Sequence, residues 1–234
     1  ADHIGAVLLE RIVYYRGNLE QVAMLMTSQW GDTLYWLWRM LRTVGRIAFP
    51  IYCFLLVEGF LHTRDWRRYW LRMAAFALIS EIPFRLAVWN TWAGGSSNVY
   101  VELAIGLLVL RGLKQSEGLT QPRRAAGMAA VIGGGCLAAV FLKADYDMDG
   151  ILIISLFYLL REKRIVQVMS GGILSLLESW NMCYGAGILS AVPLYFYNGK
   201  KGQAPWKYAF YWFYPLHLMV LFFIRLYVVG IPLG

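Results

Sequence analysis

Long apolar runs separated by short polar loops form most of this chain. Their spacing predicts nine helical segments, at residues 1–14, 33–62, 69–89, 99–110, 125–142, 151–160, 165–180, 182–197 and 208–233. A bilayer core needs about 17 to 25 mostly apolar residues in a helix, and the runs at 125–142 and 208–233 reach that length. We therefore predict an all-α fold, a polytopic transmembrane bundle of about nine helices. Residues 1–234 form a single integral membrane domain in this interpretation.

Three of the predicted segments depart from the length of a simple membrane span. The runs at 99–110 and 151–160 are too short unless their polar flanks enter the membrane, and the run at 33–62 is longer than needed. Pro50 predicts a kink in that long run, because proline lacks the N–H donor that a helix interior requires. The chain starts without Met and in a mid-helix pattern, so we expect helix 1 to begin upstream of Ala1.

Composition supports the membrane interpretation. The chain is 59% hydrophobic and 15% charged, whereas soluble domains carry about 25% charged residues. A soluble helical core would need amphipathic partner helices, which the sequence lacks. Its ten Trp and fifteen Tyr, many near the run ends, are typical of aromatic belts at membrane interfaces. The cysteines lie inside apolar runs and predict neither a disulfide nor a metal framework.

The positive charge is concentrated in every second loop. Membrane proteins keep Lys and Arg in their cytoplasmic loops, so the net charge of +8 needs no nucleic-acid partner. The loops at 90–98 and 143–150 are poor in positive charge. We predict that the basic loops are cytoplasmic and that these two loops lie outside. The cytoplasmic loops are represented by Arg67, Lys114, Lys163 and Lys200, and the outside loops by Ser96 and Asp147.

Ionisable residues at membrane depth are costly, and they usually line a cavity or pair with one another. His3 has the side chain best suited to proton transfer near neutral pH, and Asp2 precedes it; a helix-capping pair is the alternative interpretation. Arg46 lies 16 residues before His62, about 24 Å along a helix, a depth that favours a buried, paired Arg.

Three further positions leave two interpretations open. Glu58 and His62 are four residues apart and predict either a helix-terminal ion pair or part of a site. Glu81 lies deep in the third segment, where a polar cavity is favoured over contact with lipid. His217 follows Tyr214 by three residues, so it is either a packing residue bonded to that tyrosine or a functional histidine.

Alternating acids in the stretch Asp145-Tyr146-Asp147-Met148-Asp149-Gly150 are similar to the start of a calcium-binding loop. Such a loop closes with a Glu at its twelfth position, and here an apolar helix begins at Ile151 instead. We expect a solvated loop or one lip of a cavity, and no metal site.

The order of several short motifs resembles the TraX family, whose namesake is the F-pilin acetylase. The matching pieces extend over nearly the whole chain: Asp-His-Ile-Gly from Asp2, Arg-Ile-Ala-Phe-Pro-Ile-Tyr from Arg46, Glu-Gly-Phe-Leu-His-Thr-Arg from Glu58, Ile-Ser-Glu-Ile-Pro-Phe from Ile79, Asn98-Val99, Asp145-Tyr146, Asn-Gly-Lys-Lys-Gly from Asn198, and Tyr-Pro-Leu-His-Leu from Tyr214. The family also looks like a distant relative of transmembrane acyltransferases such as the heparan-glucosaminide acetyltransferase.

This resemblance implies an acetyltransferase of the bacterial inner membrane that uses acetyl-CoA and has His3 as its catalytic base. Asp2 or Glu58 would then orient His3, and Arg46 would polarise the acyl carbonyl or balance a carboxylate. Basic side chains suit the phosphates of CoA. The residues expected on the donor side are Arg64, Lys200, Lys201, His217 and Tyr214.

The acceptor stays open between an amine and a hydroxyl. The chain departs from the family pattern at Arg85, at Glu102 and at Asp147, positions in or beside outward loops where an acceptor would enter. The polar interior alone is equally compatible with a transporter or flippase for an anionic molecule, and only the ordered motifs favour the enzyme. Beyond acetyl-CoA, the acceptor and membrane lipid, a homo-oligomer is compatible with the sequence.

Overall fold

The computed structural model describes residues 1–10, 27, 29–200 and 208–229. Within these ranges all regular structure is helical, in nine segments. They are α1 (Asp2–Ile4, extended by a π-helical turn Gly5–Leu9), α2 (Gly31–His62), α3 (Trp66–Phe84, extended by a π-helical turn Arg85–Trp89), α4 (Val99–Ser116), α5 (Arg123–Phe141), α6 (Asp147–Leu159), α7 (Arg164–Cys183), α8 (Ala191–Tyr195, preceded by a 3₁₀ turn Ala186–Ser190) and α9 (Ala209–Ile224, extended by a π-helical turn Arg225–Val229).

The nine apolar runs correspond one to one with these segments, so the all-helical prediction is confirmed for the described residues. Among the residues that the structure describes, three helices are long and apolar enough to cross a membrane: Gly31–His62, Arg123–Phe141 and Ala209–Tyr227. Of the two short runs, one becomes the longer α4, which reaches Ser116, while α6 stays short at 13 residues. α2 passes through Pro50 as one continuous helix.

Short polar side chains set several helix ends. Asp65 precedes α3, and its carboxylate accepts a hydrogen bond from the backbone N–H of Arg68 at 3.1 Å. Asn98 precedes α4 and accepts from the N–H of Tyr100 at 3.0 Å. Both bonds satisfy N–H groups that have no partner within the helix. α3 with its π-helical turn ends at Asn90, which adopts a left-handed conformation with φ of 59°.

The core of the bundle lies around α4 and α6. α6 is apolar on nearly all sides, as expected of a helix enclosed by others, and Ile151, Ile153, Ile154 and Phe157 are fully buried. α5 is the opposite case. It buries only Gly135 and Ala139 and exposes large side chains such as Leu137 and Phe141, which suits a helix that faces lipid.

The loops gather at two ends of the bundle. Arg161 pairs with Glu117 at 2.8 Å, which brings together the basic loops after α4 and α6. Ser97 donates its backbone N–H to the carbonyl of Lys143 at 2.7 Å, which brings together the two loops poor in positive charge. We call these the basic end and the opposite end. This arrangement agrees with the alternation of charge, and the assignment of the basic end to the cytoplasm stays a prediction.

Candidate functional site

A cavity of about 750 Å³ lies between α1, α2, α3, α4 and α9. Its lining is mostly apolar and aromatic. Its acidic and histidine side chains are Asp2, His3, Asp145 and His217, and several tyrosines, Tyr146 among them, also line it. We call this space the main cavity. An apolar enclosure with a few convergent polar groups is the usual form of a small-molecule site.

Two histidines from the first and last helices meet in the main cavity. Nδ1 of His3 lies 2.8 Å from Nε2 of His217, and Nδ1 of His217 lies 2.6 Å from the carbonyl oxygen of Phe213. A carbonyl only accepts, so Nδ1 of His217 donates, and Nε2 of a neutral His217 is then an acceptor. His3 therefore donates through Nδ1, and its own Nε2 keeps a free lone pair. In this tautomer Nε2 of His3 is able to accept a proton.

Asp2 holds α1 against α2. Its carboxylate accepts a hydrogen bond from Nη1 of Arg42 at 2.8 Å. Gly45 permits this approach, since a Cβ at that position would overlap Asp2. The carboxylate that the sequence placed next to His3 thus bonds to an arginine of the neighbouring helix, and its contribution is to position the helix that carries His3.

Arg46 forms the buried ion pair predicted for it. Its Nη1 lies 2.8 Å from Oε1 of Glu178 on α7, and the two side chains are only 15% and 12% exposed. The Arg46 guanidinium also lies 5.2 Å from the centre of the Tyr146 ring, which stacks on Phe49 with 3.3 Å between ring centres. Arg46 therefore approaches the main cavity from behind Tyr146, a lining residue.

Asp145 belongs to two cavities. It lines the main cavity and also a second one of about 430 Å³ whose other lining residues include Trp89, Ser96, Lys143 and Asp147. Burial among the helices raises the pKa of Asp145 to about 6, and the nearby Arg46 guanidinium opposes this increase. The predicted lip of a cavity is thus where the structure places this loop. Across the described ranges, no cluster of His, Cys, Asp or Glu side chains is arranged to hold a metal ion.

Two of the remaining predicted site residues reach the main cavity. Tyr214 and His217 both line it, and the Tyr214 ring lies edge-on to His3 with 5.4 Å between centres. The predicted hydrogen bond between Tyr214 and His217 is replaced by the bonds from His217 to Phe213 and His3. His217 thus contacts His3 directly, and the expectation that His217 and Tyr214 lie on the donor side stays a prediction.

The other predicted residues lie elsewhere. Glu58 follows Gly45 by 13 residues on α2, about 20 Å at the helical rise per residue, so it cannot orient His3. The expected ion pair between His62 and the Glu58 carboxylate is replaced by a backbone contact: Nδ1 of His62 lies 2.8 Å from the backbone carbonyl oxygen of Glu58. Arg64 and Lys200 are exposed at the basic end, and Lys201 lies outside the described residues.

Two further acids, Glu81 half-buried and Glu102 fully buried, complete the picture. Glu81 lines neither cavity, contrary to expectation; it pairs with Arg85 at 2.8 Å and accepts from the Asn98 amide at 2.6 Å. Glu102 is fully buried against Gly150, where a Cβ would contact its carboxylate. Glu178 was missed by the sequence interpretation, because nothing local marks one acid in α7 as the partner of Arg46.

Comparison with known proteins now identifies the family. The family model described as TraX protein matches residues 1–225. The chain belongs to the TraX family. A curated relative from Dichelobacter nodosus, named probable fimbrial assembly protein FimC, serogroup H1, is 29% identical over 249 residues, covering 93% of this chain and 94% of the relative. No solved structure gives a significant match.

The TraX match includes both histidines of the main cavity, because it begins before His3 and ends after His217. It also includes Arg46, Asp145 and Tyr146. The resemblance drawn from short motifs is therefore confirmed as family membership.

Proposed function

We propose that this TraX protein is a membrane-embedded acyltransferase that transfers an acetyl group from acetyl-CoA to an amine or hydroxyl acceptor. The observation that carries the proposal is the His3–His217 pair, which leaves Nε2 of His3 as an unprotonated nitrogen in a largely apolar cavity. A general base needs a free lone pair within reach of the acceptor's proton, and His3 meets the first condition by its tautomer.

In the proposed reaction, Nε2 of His3 removes a proton from the acceptor as its nitrogen or oxygen attacks the acetyl carbonyl carbon. The new bond forms at that carbon, and the electron pair of the carbonyl moves to its oxygen. When the carbonyl reforms, the carbon–sulfur bond breaks. The departing CoA thiolate takes the proton from the His3 imidazolium, so the base is regenerated and no further reactant is needed.

The neighbours of His3 have supporting roles in this proposal. His217 fixes the ring and its tautomer by accepting from Nδ1, as an orienting group does in a catalytic triad. The Tyr146 hydroxyl is a donor that can stabilise the negative charge on the acetyl oxygen, and Arg46 behind it favours that charge electrostatically. Asp2 acts through Arg42 by holding α1 in place, so we regard it as a positioning residue.

The donor would enter from the basic end. The lining of the main cavity along α2 extends from Gly45 to Leu56, an axial distance of about 17 Å at the helical rise. The part of this lining nearer the basic end is apolar. A long, thin carrier arm fits such a channel, with the nucleotide left outside near the basic loops. Arg64, Lys200 and Lys201 are retained as candidates for weaker contacts with its phosphates.

The acceptor would enter from the opposite end, where the second cavity meets the main one at Asp145. The name of the Dichelobacter nodosus relative supports a fimbrial or pilin-related setting. A fimbrial subunit is therefore the first acceptor to test, and a small amine is the surrogate.

A transporter or flippase for an anionic molecule is the second candidate. It is favoured by one observation, the meeting of two cavities from different parts of the bundle at Asp145. A transporter needs a binding site but no general base, so the transporter proposal assigns no role to the free Nε2 of His3. The two candidates therefore differ in whether a bond is made.

The test measures acetyl transfer, or slow hydrolysis of acetyl-CoA, by the purified protein in detergent. We expect His3→Ala to lower turnover by about 10² to 10⁴, the usual contribution of a general base. CoA should still raise the melting temperature of the variant, since a ligand that binds only the folded state stabilises it. His62→Ala, an exposed histidine at the basic end, is the matched control and should retain full activity.

Two outcomes would contradict the proposal. If His3→Ala keeps more than about a tenth of the turnover, His3 is not the base, given the contribution expected above. If wild-type protein neither transfers acetyl groups nor is stabilised by CoA, the transporter becomes the better explanation.

A further inference from the structure

The apolar part of the main cavity extends toward the basic end and reaches Tyr69. Tyr69 and Met73 of α3 line it together with Tyr52 and Leu55 of α2. Tyr69 comes close to α2 because Gly59 has no side chain: a Cβ there would lie 2.9 Å from the tyrosine hydroxyl oxygen. Tyr69 therefore marks the limit of the channel on the side of the basic loops.

Arg72 does not line the cavity itself, but it contacts the lining residue Tyr69 and precedes the lining residue Met73. Its guanidinium carbon is 5.8 Å from the centre of the Tyr69 ring. Tyr69 lies one helical turn before Arg72 on α3. Nε of Arg72 is buried and has no hydrogen-bond partner within the part of the chain that the structure describes. A buried N–H donor without a partner is costly, and in proteins such donors nearly always bind protein, water or ligand. Arg72 thus has an unused Nε–H donor beside Tyr69, at the end of the cavity nearer the basic loops.

The two ends of the channel can be compared along α2. Gly45 faces Asp2, the neighbour of His3, and Gly59 faces Tyr69. These glycines are 14 residues apart, which corresponds to about 21 Å along the helix. In CoA, an extended pantetheine arm likewise separates the thioester from the phosphates. The channel therefore has one end, at His3, for the thioester of the donor and another end, at Tyr69, for its phosphates.

We infer that Arg72, held against Tyr69, binds a phosphate group of the acyl donor and thereby places the thioester at His3. The inference rests on the proposed acetyltransferase function and assigns its donor-recognition residue. A guanidinium presents several N–H donors in one plane, a geometry that suits phosphate oxygens. The Tyr69 ring face restricts the guanidinium by a cation–π contact, so Arg72 is better ordered for this role than the exposed Arg64 and Lys200.

The same phosphate chemistry is present in an anionic phospholipid headgroup, which Arg side chains near a membrane surface also bind. The two sources of phosphate predict different results. A nucleotide thioester needs the channel and Arg72 together, whereas a headgroup needs only Arg72 and the bilayer surface.

The experiment compares ligands with and without phosphate on the purified full chain in detergent. CoA, pantetheine and phosphatidylglycerol are titrated against wild type, Arg72→Gln and Arg72→Lys. Arg68→Gln is the matched control, because it removes the same charge one turn earlier from a side chain that is 81% exposed.

We expect Arg72→Gln to weaken CoA binding about tenfold or more, as loss of a charge-assisted hydrogen bond does. Pantetheine has no phosphate, so its affinity should be unchanged in that variant. Arg72→Lys should fall between wild type and Arg72→Gln, since it keeps the charge and loses the planar donors. Arg68→Gln should bind CoA within about twofold of wild type, because exposed charges contribute little.

Several results would overturn the inference. Equal CoA affinity in wild type and Arg72→Gln would exclude Arg72 and leave the acetyltransferase proposal standing. Equal losses for CoA and pantetheine would show a structural role. A phosphatidylglycerol effect that disappears in Arg72→Gln while CoA binding stays would assign the site to a headgroup. Wild-type protein that binds no CoA would remove both this inference and the proposed function.

Discussion

Two polar clusters of this protein, one fully buried and one half-buried, are built by the same helix, α9, and have different bonding states. In one, the fully buried Arg225 donates to the carbonyls of Ala87 and Leu86 at 2.7 and 2.9 Å and to the side-chain oxygen of Asn90 at 2.5 Å. In the other, His217 and His3 bond to each other and leave one ring nitrogen of His3 facing the main cavity.

The difference teaches how to interpret ionisable residues at membrane depth. The Arg225 cluster satisfies carbonyl groups at the end of α3, which would otherwise lack partners, and it lines neither cavity. The histidine pair has spare bonding capacity beside an open space. The more deeply buried cluster is the one whose donors are occupied, so a free lone pair next to a cavity is a better indicator of chemistry than burial.

The largest expected effect tests the structural cluster. Arg225→Leu should lower the free energy of unfolding by about 3–5 kcal/mol, the usual cost of removing one partner from a buried charged network. Turnover per folded molecule should change little. Denaturant unfolding in detergent measures the first quantity and a transfer assay the second, with Arg123→Leu, an exposed arginine at the start of α5, as the control. A stable variant without activity would show that this cluster takes part in the reaction.

The histidine pair should show the reverse behaviour. His217→Phe keeps an aromatic ring but loses the acceptor for Nδ1 of His3, so the catalytic tautomer is no longer fixed. We expect turnover to fall by about 10- to 100-fold, less than the loss predicted for a missing general base, and the melting temperature to stay near that of wild type. If His217→Phe is as inactive as His3→Ala, His217 itself takes part in proton transfer.

The smallest effect concerns Asp145, which lies between the two cavities. Its pKa is raised from 3.8 to about 6 because burial disfavours the charged carboxylate. As pH rises from about 4 to about 6, the unfolded chain loses this proton before the folded protein does, so Asp145 lowers stability progressively over that range. Above pH about 6 the effect is constant.

The Asp145→Asn variant cannot ionise at this position and should avoid this loss. We expect its melting temperature, relative to wild type, to increase between pH 4 and pH 6 and then to level off, following the raised pKa of Asp145. Wild type that gains stability over the variant in that window would mean that the Arg46 guanidinium outweighs burial.

Local patterns in the sequence predicted the helices well, because each run of apolar residues reports on its own segment. They also predicted that Arg46 would be buried and paired, since depth along one helix is a local property. The partner, Glu178, is 132 residues away, and no spacing rule connects two helices that are not neighbours in sequence. Arg225 was passed over for the same reason, because its partners lie 135 to 139 residues earlier.

The site shows the same limit. The sequence proposed local partners for two histidines, Asp2 for His3 and Tyr214 for His217, and offered Glu58, 55 residues away, as a second candidate for His3. The structure instead pairs His3 with His217, 214 residues apart, and gives Asp2 to Arg42. Only the packing of α1 between α2 and α9 decides these contacts. The choice of His3 as the candidate base came from the family resemblance of its motif, and that role stays a prediction.

The pairing of His3 with His217 also has a consequence for biogenesis. Membrane proteins are synthesised from the first helix to the last, so a growing chain carries His3 through the insertion of every intermediate helix without its partner. Only when α9 packs against α1 and α3 does His3 acquire a defined tautomer and the main cavity its final wall. An incompletely inserted chain therefore lacks both the His3–His217 contact and the wall that α9 contributes to the main cavity.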